Sequence, residues 1–468
     1  MIPRIDGGPD PIGMARKVAR KGDWRTLWWL ILSLPLPQAA GAAAHLKRRK
    51  WDPPSDADAR LADVLTGLPP REATRLGAEL FDRTTHRLSD TLGFASPVGF
   101  SVRHPVVALD LKGRDAHTSR VVTVDRTGVR STLYEGPAQH WSLCAIDSET
   151  VVARREFDSG GYRGDTEVVE YTPGREAVLA QGSGLLDAVV EATATGFVMG
   201  TKLNGVAFAL ADGEQEQLNL REFGLRRADL FAVDATGTRI AFADDTRILV
   251  TDSRLQPMHD IVVESLRHGS INAITFTEDS IVTAGYDKGL YRWQVIGGRL
   301  RGLHDGWHSS PRTFFRLNPV APWNLLVAEG GNVNYHYDIA TLERSPAPPF
   351  LVQAGPDSKD DDLGLPRAVG KFASSPYGRL AVYEGMLALS TRNSSTDFYS
   401  TIVQDLEHPL NLLMKPLSTL TAADADRVRP HLDAPSGTPS PYALTATDRA
   451  VLAAAVEACA WAPKVTGG

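Results

Sequence analysis

Cysteine is nearly absent from this chain, with two in 468 residues, Cys144 and Cys459. Their separation gives no disulfide framework, and no Cys-x-x-Cys pair exists for zinc or redox chemistry. Both read as small buried hydrophobes in a reducing compartment. An excess of one charge is also lacking, since 50 Lys and Arg face 56 Asp and Glu, for a net charge of -6. That balance offers no broad attraction for nucleic acid, and no nucleic-acid partner is expected. No Walker loop, G-x-G-x-x-G, G-x-S-x-G or H-E-x-x-H motif occurs, so no catalytic residue or cofactor site is expected from local sequence.

Long apolar runs are missing too. The best candidate, Leu27 to Leu36, is too short to span a bilayer and meets Pro35 and Pro37. Residues Arg16 to Lys50 imitate a secretory signal, with a basic start, that apolar run and Ala42-Ala43-Ala44. The cluster Lys47-Arg48-Arg49-Lys50 opposes translocation there, and Asp23 is a good N-cap for a helix over Trp24–Leu34. The expectation is a buried helix in a cytoplasmic protein with no stable membrane insertion. Arg outnumbers Lys and Ala is abundant, which points to a GC-rich bacterial gene.

Weak metal signals resolve into loops. His304 and His308 are four apart but flank Asp305-Gly306 and lack a third ligand. Asp357 to Gly364 is rich in carboxylates, without the alternation that wraps calcium and with Lys359 inside it. Ser183 sits in a glycine turn rather than a nucleophile elbow. No metal is expected.

What the chain does contain is a repeat. Short apolar strands separated by turn residues recur from Ser101 to about Leu410. One group is Leu230–Asp234, Arg239–Ala243 and Arg247–Thr251; another is Ala188–Glu191, Phe197–Met199 and Val206–Leu210, with the strong hairpin signal Asn204-Gly205 before its last strand. Seven such units at a spacing of roughly 40–45 residues predict a seven-bladed β-propeller. Before and after it, helices are expected over Trp24–Leu34, Gln38–Lys50, Ala57–Thr66, Arg71–Phe81, Thr421–Leu432 and Thr445–Trp461. The division predicted is therefore a helical segment 1–98, a propeller 99–415 and a helical segment 416–468.

The stretch Ile271 to Val295, "INAITFTEDSIVTAGYDKGLYRWQV", resembles one blade of the WD40 family. His268 stands where the family places its Gly-His histidine, Thr283 at the strand serine, Asp287 in the turn and Trp293 on the third strand. The resemblance implies that these four side chains form a hydrogen-bonded structural tetrad rather than a reactive site. His308 is a candidate for the same histidine slot in the next blade. Gln294 departs from the family, which has aspartate after the tryptophan. A WD40-like propeller implies a non-catalytic protein-interaction scaffold or regulatory subunit of a bacterial assembly. The alternative is a propeller hydrolase or lyase with its site at the central channel. Tyr286, Trp307 and Arg312 lie in or beside loops of this blade and its neighbour, and are the residue types that dominate interaction hot spots. They are the candidate partner-binding residues.

Overall fold

A computed structural model of the chain describes residues 11–47, 51, 53–87, 95–112, 118–126, 128–156, 166–245, 247–262, 270–278, 280–286, 289–296, 299–302, 308–309, 313–314, 316–320, 325–330, 333–344, 380–383, 386–393, 398–405, 407–433 and 442–461. Its contacts divide into two compact units. One holds Met1–Thr85 and Leu406–Gly468, together with Ala347–Arg367, which lies outside the described residues. The other holds His86–Pro346 and Ala368–Asp405. Helices from the two ends of the chain thus fall in one unit.

That unit contains α1 (Pro11–Arg20), α2 (Trp24–Leu32), α3 (Leu36–Lys47), α4 (Asp56–Gly67), α5 (Pro70–Thr84), α6 (Ala422–Asp433) and α7 (Ala446–Trp461). Local chemistry sets their ends. Asp23 caps α2 by accepting from the Thr26 amide at 3.1 Å. Ser55 accepts from the Asp58 amide at 3.1 Å and donates to its carboxylate at 2.7 Å, a capping pair for α4. Pro70 opens α5, where a missing N–H costs nothing. The signal-like run is core: Leu27, Ile31, Leu34 and Leu36 are all buried. Among the described residues no helix is long and apolar enough to cross a membrane.

The early and late helices are joined by packing and by hydrogen bonds. α4 and α5 both touch α7. The Leu417 amide donates to the Leu34 carbonyl at 3.1 Å. Arg83 on α5 clamps Asp448 on α7 with two bonds of 2.6 Å each. Asp448 also accepts from the Thr445 amide at 2.6 Å, so one carboxylate caps α7 and ties it to α5.

The other unit is built of strands. In the first sheet β2–β5 (Ala95–Phe100, Val106–Lys112, Ser119–Asp125, Arg130–Gly136) pair in order, as do β6–β9 (Gln139–Ala145, Val151–Glu156, Thr166–Thr172, Arg175–Gln181) in the second. The third is β10–β13 (Val189–Thr193, Gly196–Gly200, Val206–Ala211, Glu214–Asn219). The fourth is β14–β17 (Phe231–Val233, Arg239–Asp244, Arg247–Asp252, Pro257–Val262). In the fifth, β18–β21 (Ile271–Phe276, Ile281–Gly285, Gly289–Ile296, Arg299–Gly302) pair in order, and β22 (His308–Ser309) adds to β20. The sixth is β23–β25 (Arg316–Val320, Leu325–Gly330, Val333–Asp338). The seventh takes β26–β28 (Leu380–Tyr383, Met386–Asn393, Phe398–Asp405) and, beyond β28, β1 (Thr85–Arg87).

Each sheet's first strand touches the first strand of the next, from β2 through β6, β10, β14, β18 and β23 to β26, and β26 touches β2. Between neighbouring sheets run apolar seams. Val106, Ala108 and Val121 meet Leu143, Ala145, Val151 and Ala153 in one of them. Ala207 and Ala209 meet Phe231, Ile240 and Phe242 in another. Alanine recurs because the backbones come close. A Cβ at Gly99 would collide with the Leu143 carbonyl, so only glycine lets β2 approach β6 this closely.

Burial pushes the Asp448 carboxyl up, but the hydrogen bonds from Arg83 and Thr445 outweigh it and hold it below the usual carboxylate range. A depressed carboxylate adds stability above its unfolded value of about 4, and that stability fades as pH falls through the folded value. Asp448→Asn should therefore cost about 3 kcal/mol near neutral pH. Urea melts repeated down the pH scale should show the gap to the native chain closing below pH about 4.

Candidate functional site

The fifth sheet carries the stretch singled out in the sequence. Thr283 on β19 lies beside Trp293 on β20 because β19 and β20 pair Ile281 with Trp293 and Thr283 with Tyr291. The Trp293 indole N–H donates to the Thr283 hydroxyl at 2.9 Å, with both side chains buried. The ring packs among Ala241, Ala243, Ile248 and Val250 of the fourth sheet. Of the four residues read as a tetrad, the structure brings these two together; His268 and Asp287 lie outside the described residues. Tyr286 follows β19, is 57 % exposed, and its amide donates to the Ser270 carbonyl at 3.1 Å. Trp307 and Arg312 lie outside the described residues, as do His304 and the carboxylate-rich stretch 357–364. The loop expected around His308 contains a short strand, in which His308 is opposite Leu290 of β20.

A second and larger polar cluster sits in the seam between the first two sheets, and nothing in the sequence had singled it out. Asp110 on β3, Ser119 on β4, His140 on β6 and Tyr171 on β8 are all buried. Ser119 donates to Asp110, and its oxygen is 2.9 Å from His140 Nδ1. His140 Nδ1 is also 3.3 Å from the second Asp110 oxygen. On the other side of the ring, Nε2 is 2.9 Å from the Tyr171 hydroxyl. Arg155 donates to that hydroxyl at 3.1 Å, to Glu176 at 2.8 Å and to Glu167 at 2.9 Å.

With a single proton on the His140 ring, donor and acceptor rules give this chain one direction. A carboxylate only accepts, so the Ser119 proton goes to Asp110. Ser119 then accepts from His140 Nδ1–H, and Nε2 accepts from the Tyr171 hydroxyl. Arg155 finally donates to the Tyr171 oxygen. Burial works against the Arg155 charge, yet Glu176, Tyr171 and Glu167 more than restore it. Burial also pushes the Tyr171 phenol up, opposed by Arg155, so it stays a proton donor.

Ser, His and Asp together suggest acyl transfer, and the geometry argues against it. A nucleophilic serine gives its proton to the histidine, whereas Ser119 points its proton at Asp110. The cluster is also sealed from solvent, so no substrate carbonyl reaches Ser119. These groups hold two sheets together.

A bulge makes this placement possible. β6 and β7 pair His140 with Arg155 but Ser142 with Arg154, so Trp141 is extra. Without that insertion the period-two rule would turn His140 onto the opposite face of the sheet. Trp141 is extruded and 47 % exposed. Its ring lies 5.8 Å from Arg154 Cζ. Arg154 is buried, and two of its nitrogens, Nε and Nη1, have no hydrogen-bond partner. Burying such donors unpaired costs about 1–3 kcal/mol each. Burial weakens the charged form of Arg154, and Glu156 and Asp187 only partly offset that.

One further carboxyl is perturbed. Burial pushes Glu191, on β10, up to about 7, against the opposing pull of a Val233 backbone hydrogen bond and the Arg316 charge.

No family model matches the sequence, and no curated protein matches it. Solved structures do. The chain is similar to one from a crystal structure of the mitotic checkpoint complex, at 14 % identity and TM-score 0.40, over 66 % of this chain and 86 % of that one. It is similar to the Cps50 (Swd1) β-propeller domain of Myceliophteria thermophila, at 12 % identity and TM-score 0.41, over 69 % of this chain and 99 % of that one. It is also similar to the WD40 repeats of RRP9, at 11 % identity and TM-score 0.35, over 53 % of this chain and 91 % of that one.

Two expectations come from this geometry. Trp293→Ala should cost about 3–5 kcal/mol by opening a cavity. Trp293→Phe keeps most of the volume and should lose about 1–2 kcal/mol through the stranded Thr283 hydroxyl. Denaturant melts that rank the two equally would contradict the seam packing. Glu191 gives a pH signature of opposite sign to Asp448. A carboxyl raised from its ordinary 4.5 to about 7 holds its proton longer in the folded state. Stability then falls as pH rises between those values. Glu191→Gln should gain on the native chain across that window and keep a constant lead above it, as read from melting temperature against pH.

Proposed function

We propose that the strand-built unit is a seven-bladed WD40-like propeller and that the protein is a non-catalytic interaction scaffold. In this reading it is a regulatory subunit of a cytoplasmic bacterial assembly, with protein partners. The seven sheets are blades, β1 completes the last of them, and His268 and Asp287 join Thr283 and Trp293 as the tetrad of the fifth.

The observation that supports a scaffold most directly is the use made of reactive side chains. Ser119, His140 and Asp110 are buried and hydrogen-bonded to one another, while Tyr286 and Trp141 stand exposed beside or within strands. Polar chemistry is directed inward, and aromatic contact area is directed outward. Buried hydrogen-bonded networks fix geometry. Exposed aromatics on a rigid frame offer binding energy at small entropic cost. Tyr286, Trp307 and Arg312 are the proposed contact set.

Affinity capture from the native host, with the tagged full chain, identifies the main partner. Tyr286→Ala, Trp307→Ala and Arg312→Ala together should abolish that capture and leave the melting temperature within about 1–2 °C, as surface substitutions do. Undiminished capture by the folded triple variant would move the interface elsewhere.

A further inference from the structure

Two neighbouring seams each bury a charged side chain, one with most of its hydrogen bonds made and the other with two donors unmet. Between the first and second sheets, Asp110 is enclosed by Ser119 and His140. Between the second and third sheets the charged residue is Arg154. It is opposite Ser142 and Val168 in the β6–β7–β8 pairing. That places it on the face where Cys144, Val152 and Val168 meet Leu185, Val190 and Ala192. Arg154 is only 7 % exposed. Its Nε and Nη1 donate to no hydrogen-bond acceptor, and the Glu156 carboxylate stands off at 3.5 Å from Nη1. Asp187, in the turn before β10, adds a second negative charge to the surroundings. The extruded, half-exposed Trp141 ring lies 5.8 Å from the guanidinium carbon.

We propose that Trp141 and Arg154 form a recognition site for a side-chain carboxamide, an Asn or Gln of a partner peptide. The inference rests on the scaffold reading above and gives it a specific ligand chemistry. Unpaired buried donors call for an acceptor. A carboxylate guest would meet one arginine and two acids, Glu156 and Asp187, and be repelled on balance. A lysine or arginine guest would leave the Arg154 donors unmet and add a like charge. A carboxamide supplies one acceptor for Arg154 and two donors for the flanking carboxylates in a single plane. Its flat face matches the indole, which covers the guest. The site is distinct from the Tyr286 region, which belongs to the fifth sheet.

Ligand-observed NMR titration of the full chain tests this with three probes. They are N-acetyl-glutamine methylamide, its glutamate counterpart and its norleucine counterpart. The glutamine probe should bind about tenfold more tightly than either of the others, a difference of about 1.4 kcal/mol. Arg154→Met should erase the preference, and Trp141→Ala should weaken the glutamine probe severalfold. Arg154→Met is checked by its melting temperature, and Trp141→Ala, an exposed change, keeps the test alive if that variant does not fold. Equal binding of the three probes, a preference for glutamate, or a glutamine signal that survives both variants would overturn the site. Capture of the main partner by folded Arg154→Met would leave the scaffold reading intact while removing this seam from it. Failure of every capture by the native chain would instead count against the scaffold reading itself.

Discussion

The close approach of neighbouring first strands governs the rest of the strand-built unit. Where β2 meets β6 there is no room for a Cβ at residue 99, and the seams are filled by alanines such as Ala108, Ala145, Ala207 and Ala241. A seam this tight excludes solvent along its length. Any polar group placed inside must therefore find its partners within the protein or carry the cost of lacking them. Both outcomes occur. The Asp110–Ser119–His140–Tyr171 chain is bonded from member to member, although Asp110 Oδ2, 3.3 Å from His140 Nδ1, makes no hydrogen bond of its own. Arg154, one seam further on, keeps two donors unmet.

That contrast says something about how the network stabilises. A buried charge adds little net stability over an apolar replacement, because desolvation offsets the attraction. What it adds is orientation. Asp110 and Ser119 come from the first sheet and His140 and Tyr171 from the second, so their hydrogen bonds are satisfied only at one relative setting of the two sheets. Apolar alanine seams tolerate sliding far better. The first seam is thus fixed by directional bonds, and Arg155 extends the same set outward to Glu167 and Glu176.

Much of the architecture was legible in the sequence, for physical reasons that also explain what was not. The inner three strands of most sheets alternate apolar and polar residues or are wholly apolar, as in β15 and β18, and they read directly. The outer strands do not. β13, with the sequence Glu214 to Asn219, is mostly exposed, and β5 and β9 are similar. An exposed edge strand needs no apolar face and profits from charge, so it carries no signal at period two. β2 was missed because Pro97 and Gly99 break its pattern, although Gly99 is what lets it approach β6. The hairpin expected at Asn204-Gly205 exists as a longer turn, with Gly205 at φ +61°. The Thr283–Trp293 pair could be named because the stretch Ile271 to Val295 resembles one WD40 blade at those two positions, which lie ten residues apart. The His140 cluster could not, since its members come from four strands and its histidine faces inward only because Trp141 shifts the register. A single inserted residue is invisible to a periodicity argument.

The grouping of the helices follows from strand order. β1 and β28 are neighbours in one sheet, although one opens the strand-built part of the chain and the other closes it. A chain that enters and leaves such a unit through adjacent strands brings its two flanks to the same place, as inserted domains do. Residues up to Thr85 and from Leu406 onward can then share a core without a long connection. Arg83 and Asp448, 365 positions apart in sequence, form a bidentate pair within that core. The helical unit is therefore not a pair of appendages. Its core requires both flanks, and each flank alone leaves apolar faces such as those of α4, α5 and α7 without their partners. A truncation at either end removes half of a shared core, and the consequence falls on helices at the opposite end of the sequence.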